Sequence, residues 1–140
     1  MNSFLLHLKI PKHAGKVIES IKSEILKICI ADNEDCVVDW VTGRLVLFSS
    51  DEICEKVKKI KGVIECHRVE IFEREEELIK KASEIVRNCT SFAVRSNHLH
   101  VAQRIGGEIQ EMTNVAVNLD APECEIFVEY RSDYYFLRID

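Results

Sequence analysis

Residues 91–122 constrain this chain more than any other stretch. Ser91-Phe92-Ala93-Val94-Arg95 is a short apolar run that ends in an arginine, and a polar break at Ser96-Asn97 follows at once. Val101, Ile105, Ile109 and Met112 then recur at helical spacing, which predicts a helix from about His98 to Met112 with those four on its core face. Val115-Ala116-Val117-Asn118-Leu119 reads as a second strand, and Asp120-Ala121-Pro122 stops it. A strand, a crossover helix and a second strand in one sheet make the strands parallel and the crossover right-handed. Such units hold ligands at the carboxyl ends of their strands, facing the amino end of the helix. Arg95 stands at that corner.

The rest of the chain falls into two halves. Phe4–Ile10 predicts a strand closed by Pro11, and Val17, Ile21, Ile25 and Ile28 form the apolar stripe of a helix. Cys36–Val41 and Arg44–Phe48 are strands separated by Thr42-Gly43, a hairpin signal. Ser49 with Glu52 makes a capping box for a second helix with the stripe Ile53, Val57 and Ile60, and Gly62 is a natural stop. Val63–Ile71 is a further strand. The order β-α-β-β-α-β is the ferredoxin-like arrangement, assigned to residues 1–72. Glu73–Asn88 is a helix with an acidic first turn and the stripe Leu78, Ala82, Ile85 and Cys89. With the central unit and a last hairpin, Cys124–Tyr130 and Tyr134–Ile139, residues 73–140 read as α-β-α-β-β-β. The class is α/β (α+β), and no Gly-, Pro- or Ser-rich linker divides the halves, so they are expected to pack together.

No run reaches the ~18 apolar residues of a membrane span, and the first residues lack a signal-peptide layout, so no membrane partner is expected. Six cysteines stand at 29, 36, 54, 66, 89 and 124 without a C-x-x-C pair, which excludes a zinc ribbon or a thioredoxin motif. Four of them lie inside strand or helix patterns and read as small hydrophobes, so reduced thiols and a cytoplasmic setting are expected. Net charge is −5. Residues 1–70 are balanced, with eleven Lys/Arg and eleven Asp/Glu, whereas residues 71–140 carry eight against thirteen. Non-specific affinity for nucleic acid is therefore expected to be poor, although a local patch can still hold phosphate.

The ordered set Phe92-Ala93-Val94-Arg95, Ile105-Gly106, Val117-Asn118-Leu119, Pro122 and Ile126-Phe127-Val128-Glu129 resembles the THUMP domain of tRNA-modification proteins. That family commonly carries a ferredoxin-like domain just before the THUMP core, so the resemblance extends over nearly the whole chain, with residues 73–140 as the THUMP-like RNA-binding part. It implies a tRNA-docking module, acting near the acceptor end, with chemistry supplied by another catalytic domain or subunit. The chain has no Ser-Gly-Gly-x-Asp-Ser loop, no Asn/Asp-Pro-Pro-Tyr motif and no H-x-E with C-x-x-C. It is therefore expected to be no enzyme by itself and to need no cofactor. Departures from the family pattern also stand out. Ser96-Asn97 replaces further basic residues after the arginine, and Asp120-Ala121 replaces a turn that often carries lysine. The opening strand and helix also lack the run typical of thiouridine synthetases. A small-molecule regulatory module and a protein-interaction scaffold stay open as alternatives.

Arg95, Asn97 and His98 are the first candidates for RNA contact, since a guanidinium beside free N–H groups at a helix start suits a phosphate oxygen. The competing reading pairs Arg95 with a carboxylate such as Glu129 and makes Asn97 a cap. Arg104 could extend the surface along the helix, and Lys80, Lys81 and Arg87 on the preceding helix could widen it. His98 and His100, two residues apart, do not share a helix face, so no metal is expected. Gly106-Gly107 costs about 1 kcal/mol per glycine relative to alanine, which predicts close approach by another backbone at Gly106 and a smooth outward surface at Gly107. Trp40 alternates with Cys36 and Val38 and is expected in the core. Tyr134-Tyr135 reads as packed strand aromatics or, less simply, as a stacking platform for bases.

Overall fold

The computed structural model describes residues 2–9, 15–41, 44–50 and 53–139. The strand stop at Pro11, the turn at Thr42-Gly43 and Glu52 lie outside the described residues. The predicted capping box is not formed by Ser49, which closes a strand, whereas Ile53 holds the N-cap position of the second helix without a side-chain cap. The chain forms two compact units, Met1–Val69 with Ile139–Asp140, and Glu70–Arg138.

The first unit has the expected β-α-β-β-α-β order. Its elements are β1 (Asn2–Leu8), α1 (Gly15–Ala31), β2 (Cys36–Val41), β3 (Arg44–Ser49), α2 (Cys54–Val57) and β4 (Val63–Phe72). The strands run in the order β2-β3-β1-β4, and every pairing among them is antiparallel. Ile21, Ile25 and Cys29 of α1 are buried with Phe4, Leu6, Leu45, Leu47 and Val57 in one cluster. Val17 lies at the start of the predicted stripe and is 37% exposed, so the buried face begins one turn later. The second helix is a single turn. Its stripe nonetheless behaves as expected, because Ile53 and Val57 are buried and Ile60 packs against the same cluster.

Trp40 departs from expectation. Cys36 and Val38 pack against the core, but Trp40 is 43% exposed. β2 is the edge strand, and Trp40 lies near its far end, where the alternation continues but the covering layer does not.

The second unit contains α3 (Glu75–Val86), β5 (Ser91–Ser96), α4 (Leu99–Thr113), β6 (Ala116–Val117), β7 (Cys124–Arg131) and β8 (Tyr134–Arg138). Their strand order is β8-β7-β5-β6. β5 and β6 are parallel as the crossover requires, with Ser91 opposite Ala116 and Phe92 opposite Val117. β6 is shorter than the apolar run suggests. Asn118 donates its backbone N–H to the Phe92 carbonyl at 2.9 Å, and its side-chain oxygen then accepts from the N–H groups of Asp120 and Ala121, both at 3.1 Å. That Asx turn ends the strand before Leu119. α4 ends at Asn114, whose φ of 60° is a left-handed cap. Val101, Ile105 and Ile109 are buried as expected, but Met112 is 49% exposed, because it lies on the last turn beyond the core.

All six cysteines are paired, Cys29–Cys36, Cys54–Cys66 and Cys89–Cys124, with Cα separations of 6.2, 5.4 and 6.2 Å. This overturns the reduced-thiol expectation and removes the argument from thiols to a reducing compartment. The sequence separations of 7, 12 and 35 match no motif. The pairs arise because the fold sets the end of α1 beside β2, α2 beside β4, and the end of α3 beside β7. Among the described residues, no helix is long and apolar enough to cross a membrane.

Alkylation of the denatured, unreduced protein should modify none of the cysteines, and prior reduction should expose all six. Each bridge is worth on the order of 2–4 kcal/mol, so reductant should lower Tm by about 10 °C or more. Labelling of all six thiols without reduction would contradict the pairing.

Candidate functional site

The corner at the end of β5 is assembled by polar side chains. Arg95 donates from Nε to Glu125 at 3.1 Å and from a terminal nitrogen to the Leu119 carbonyl at 2.8 Å. Its carboxylate partner is therefore Glu125 of β7 rather than Glu129, which pairs with Arg131 at 2.7 Å. Phe127 is the residue opposite Arg95 in the parallel register, so Glu125 reaches it from two positions earlier on β7. Two of the five guanidinium N–H groups are thus committed, and the side chain stays 37% exposed.

Asn97 does not cap α4. Its side-chain oxygen accepts from the Tyr130 backbone N–H at 2.8 Å, and its amide nitrogen donates to the Tyr130 carbonyl at 2.9 Å. One amide side chain here substitutes for a backbone unit and extends the β5–β7 ladder past the strand end. Ser96 turns the chain, its hydroxyl accepting from the His98 N–H at 3.2 Å. His98 occupies the N-cap position of α4 and supplies no side-chain cap. Among the described residues no side chain takes the N–H groups of Leu99, His100 or Val101, the first-turn donors that an α-helix leaves unpaired.

These residues border a cleft of about 720 Å³ between α4 and the β5–β6 edge. Arg95, Ser96 and Asn97 form its polar end, and Gln103 and Gln110 line the helix side. Leu99, Val117 and Leu119 supply apolar wall, and they are 68%, 40% and 62% exposed. Gly106 and Gly107 also face the cleft. A Cβ on Gly106 would meet only the Val94 side chain at 3.7 Å, an ordinary contact, so no close backbone approach accounts for it. A Cβ on Gly107 would enter open space, which leaves the cleft wall smooth.

The remaining candidates lie elsewhere. Arg104 forms a two-pronged pair with Glu75 of α3 at 2.6 and 2.7 Å, and Tyr135 donates its hydroxyl to Glu75 at 2.7 Å. The Arg104 hydrogen bonds hold the Glu75 carboxyl below the usual carboxylate range, opposed by burial and assisted by Tyr135. Burial, with the Glu75 bond behind it, pushes the Tyr135 phenol up to about 12. Tyr135 is the packed member of the tyrosine pair, with its ring 4.7 Å from that of Tyr130, and His98 meets Tyr130 edge-on at 5.7 Å. Lys80 and Arg87 line a separate groove on α3 and α4 together with Glu76, Glu84 and Glu108. Lys81 lies on α3, half-buried, and borders neither this groove nor the cleft. Among the described residues, no three His, Cys, Asp or Glu side chains gather as a metal-ligand group.

Sequence reading alone missed Glu125, the Leu119 carbonyl and the Glu75–Tyr135 clamp. No local signal marks them, because each partner lies 24 to 60 residues away.

No protein-family model and no curated protein sequence matches this chain. Solved structures do share its fold. PH1313 from Pyrococcus horikoshii aligns over 100% of this chain and 54% of its own, with a TM-score of 0.79 and 13% identity. A 4-thiouridine synthetase solved in complex with RNA and with bound ATP aligns over 100% of this chain and 41% of its own, at 0.64 and 17%. TrmN from Thermus thermophilus aligns over 97% and 44%, at 0.53 and 18%. This chain thus spans about half, or less, of each of those proteins. At such identities the likeness is one of fold, and the THUMP-like α+β fold implied by the residue pattern is the fold observed.

The Glu75 clamp sets a pH dependence. Its folded pKa is depressed, so the stability it contributes is present above the unfolded value near 4.3 and is lost as pH falls through the folded pKa. Glu75→Gln should lower Tm at pH 7 and flatten the fall in Tm between about pH 5 and pH 3. Parallel pH–Tm curves for the two proteins would show that the clamp carries no such linkage.

Proposed function

We propose that this chain is a tRNA-docking module of an RNA-modification system, either a stand-alone adaptor or part of a larger modification enzyme. One observation carries this reading: the whole chain adopts the fold of a segment of a synthetase that was solved with RNA bound. The corner at Arg95 fits the role chemically. A partly exposed guanidinium with N–H groups to spare lies beside an uncapped helix start at the polar end of an open cleft, and all of these favour a phosphate oxygen. In this reading Arg95 and the α4 N-terminus make the phosphate contact. Asn97 positions them, and His98 lies beside them against Tyr130.

Arg104 suits a supporting role, since Glu75 neutralises it. Lys80 and Arg87 share their groove with three glutamates, so they contribute less to phosphate binding than Arg95. Catalysis belongs to another domain or subunit. Contact at the acceptor end of tRNA is the finer form of the proposal.

Binding of labelled tRNA, followed by fluorescence anisotropy over a range of salt, tests this. The wild-type chain should bind with a negative log–log salt slope. Arg95→Ala should weaken binding and make the slope shallower by roughly 0.7–0.9, nearly alike for different tRNAs, because phosphate contacts position without specifying sequence. Glu125→Gln should do the opposite by removing the competing carboxylate. Unchanged affinity and slope in a folded Arg95→Ala protein would favour the scaffold alternative.

A further inference from the structure

The first unit carries a lysine cluster that charge counted over the whole half conceals. Residues 56–61 read Lys-Val-Lys-Lys-Ile-Lys. Val57 is fully buried and Ile60 packs against the core, so the lysines between them are forced outward. Lys56, Lys59 and Lys61 line a groove of about 420 Å³ against α1, where Ser20 and Glu24 face them.

Two features separate this cluster from an ordinary solvated face. The first is rigidity. α2 is a single turn, too short to persist alone. It is held by the Cys54–Cys66 bridge and by successive backbone bonds, Lys58 to Cys54 at 2.8 Å, Ile60 to Val57 at 3.0 Å and Val63 to Ile60 at 3.1 Å. Gly62 closes the segment at φ +99°, where a Cβ would lie 3.1 Å from the Ile21 side chain. Lys9 joins the same end of the unit, its backbone N–H donating to the Gly62 carbonyl at 2.8 Å. The second feature is unspent charge. Lys56 pairs with Asp32, Lys58 with Glu55 at 3.4 Å, and Lys27 takes Glu24 at 3.2 Å. Among the described residues, Lys59 and Lys61 have no carboxylate partner.

We infer that this groove is a second phosphate-binding site, which takes the ribose-phosphate backbone of RNA independently of the Arg95 corner. Lysine ammonium groups act as point charges without the planar fork of arginine, so the contact is sequence-independent. The groove's apolar wall, Ile28 and Ile60, offers none of the aromatic anchors that protein partners use, which favours RNA over an acidic peptide. The inference rests on the tRNA-docking reading, and its test separates the two.

The full-length chain is compared with Lys59→Gln/Lys61→Gln, with Lys22→Gln as a charge control on α1, and with Arg95→Ala, all checked for folding by circular dichroism. At 0.7–0.9 per lost phosphate contact, the double variant should make the tRNA salt slope shallower by about 1.4–1.8, and the affinity near 150 mM salt should fall roughly tenfold. Lys22→Gln should change little. Acetylation of wild-type lysines, read by mass spectrometry, should show Lys59 and Lys61 protected by tRNA at least about fivefold, and Lys22 less than twofold. If wild type and Lys59→Gln/Lys61→Gln bind alike while Arg95→Ala binds weakly, with both lysines equally reactive with and without tRNA, the groove is no RNA site and the docking reading survives. If wild type binds no tRNA, both fall together.

Discussion

The double hydrogen bond between the Asn97 side chain and the Tyr130 backbone is the contact on which the rest of the site depends. β5 runs parallel to β7 through Ser96–Val128, and the chain must then leave the sheet to enter α4 within two residues. The amide of Asn97 pairs with both the N–H and the carbonyl of Tyr130 at this exposed strand end, so the ladder continues past Ser96 and the helix starts beside it. Arg95 is placed by the same exit. Its fork ties the Leu119 loop and Glu125 to the corner, and this holds the cleft mouth in one shape.

Charge in the second unit bears on the proposed anion site at Arg95. The glutamates of α3 are partly consumed: Glu75 holds Arg104, whereas Glu76 and Glu84 lie with Lys80 and Arg87 in a different groove. Glu125 tempers Arg95 without saturating it. In the proposed reading such a corner would orient a phosphate more than attract one from a distance, since steering over long range follows net charge and falls off within about 10 Å at moderate salt. In the proposed reading, affinity then comes from several weak contacts, among them the lysine groove inferred on the first unit.

Much of the fold was legible because hydrophobic periodicity is local. The stripes of α1 and α4 and the parallel pairing of β5 with β6 follow largely from spacings of three to four residues and from crossover geometry. On α3 the buried face is Leu78, Ile79, Ala82, Ser83 and Val86, rotated from the predicted stripe, so Ile85 and Cys89 are only half-buried. Trp40 and Met112 misled because alternation runs to the end of an element, whereas the layer that covers it stops sooner. The cysteine pairs were illegible because adjacency across 7 to 35 residues is a property of topology. In the candidate site, Arg95 was visible as an arginine closing a strand before a helix. Its partners were not, and neither was the backbone-like role of Asn97, because both depend on where β7 lies. The lysine run was plain in the sequence but vanished when charge was averaged over seventy residues.

Backbone and arginine side-chain amide shifts, recorded by NMR on the 15N-labelled chain during titration with tRNA, separate contact at the Arg95 corner from contact elsewhere. The largest changes should fall on the Arg95 Nε–H, on the N–H groups of Leu99 to Val101 at the start of α4, and on the Leu119 loop, and they should fade as salt is raised. Shifts confined to other surfaces, with these signals unmoved at saturating tRNA, would contradict contact at the Arg95 corner.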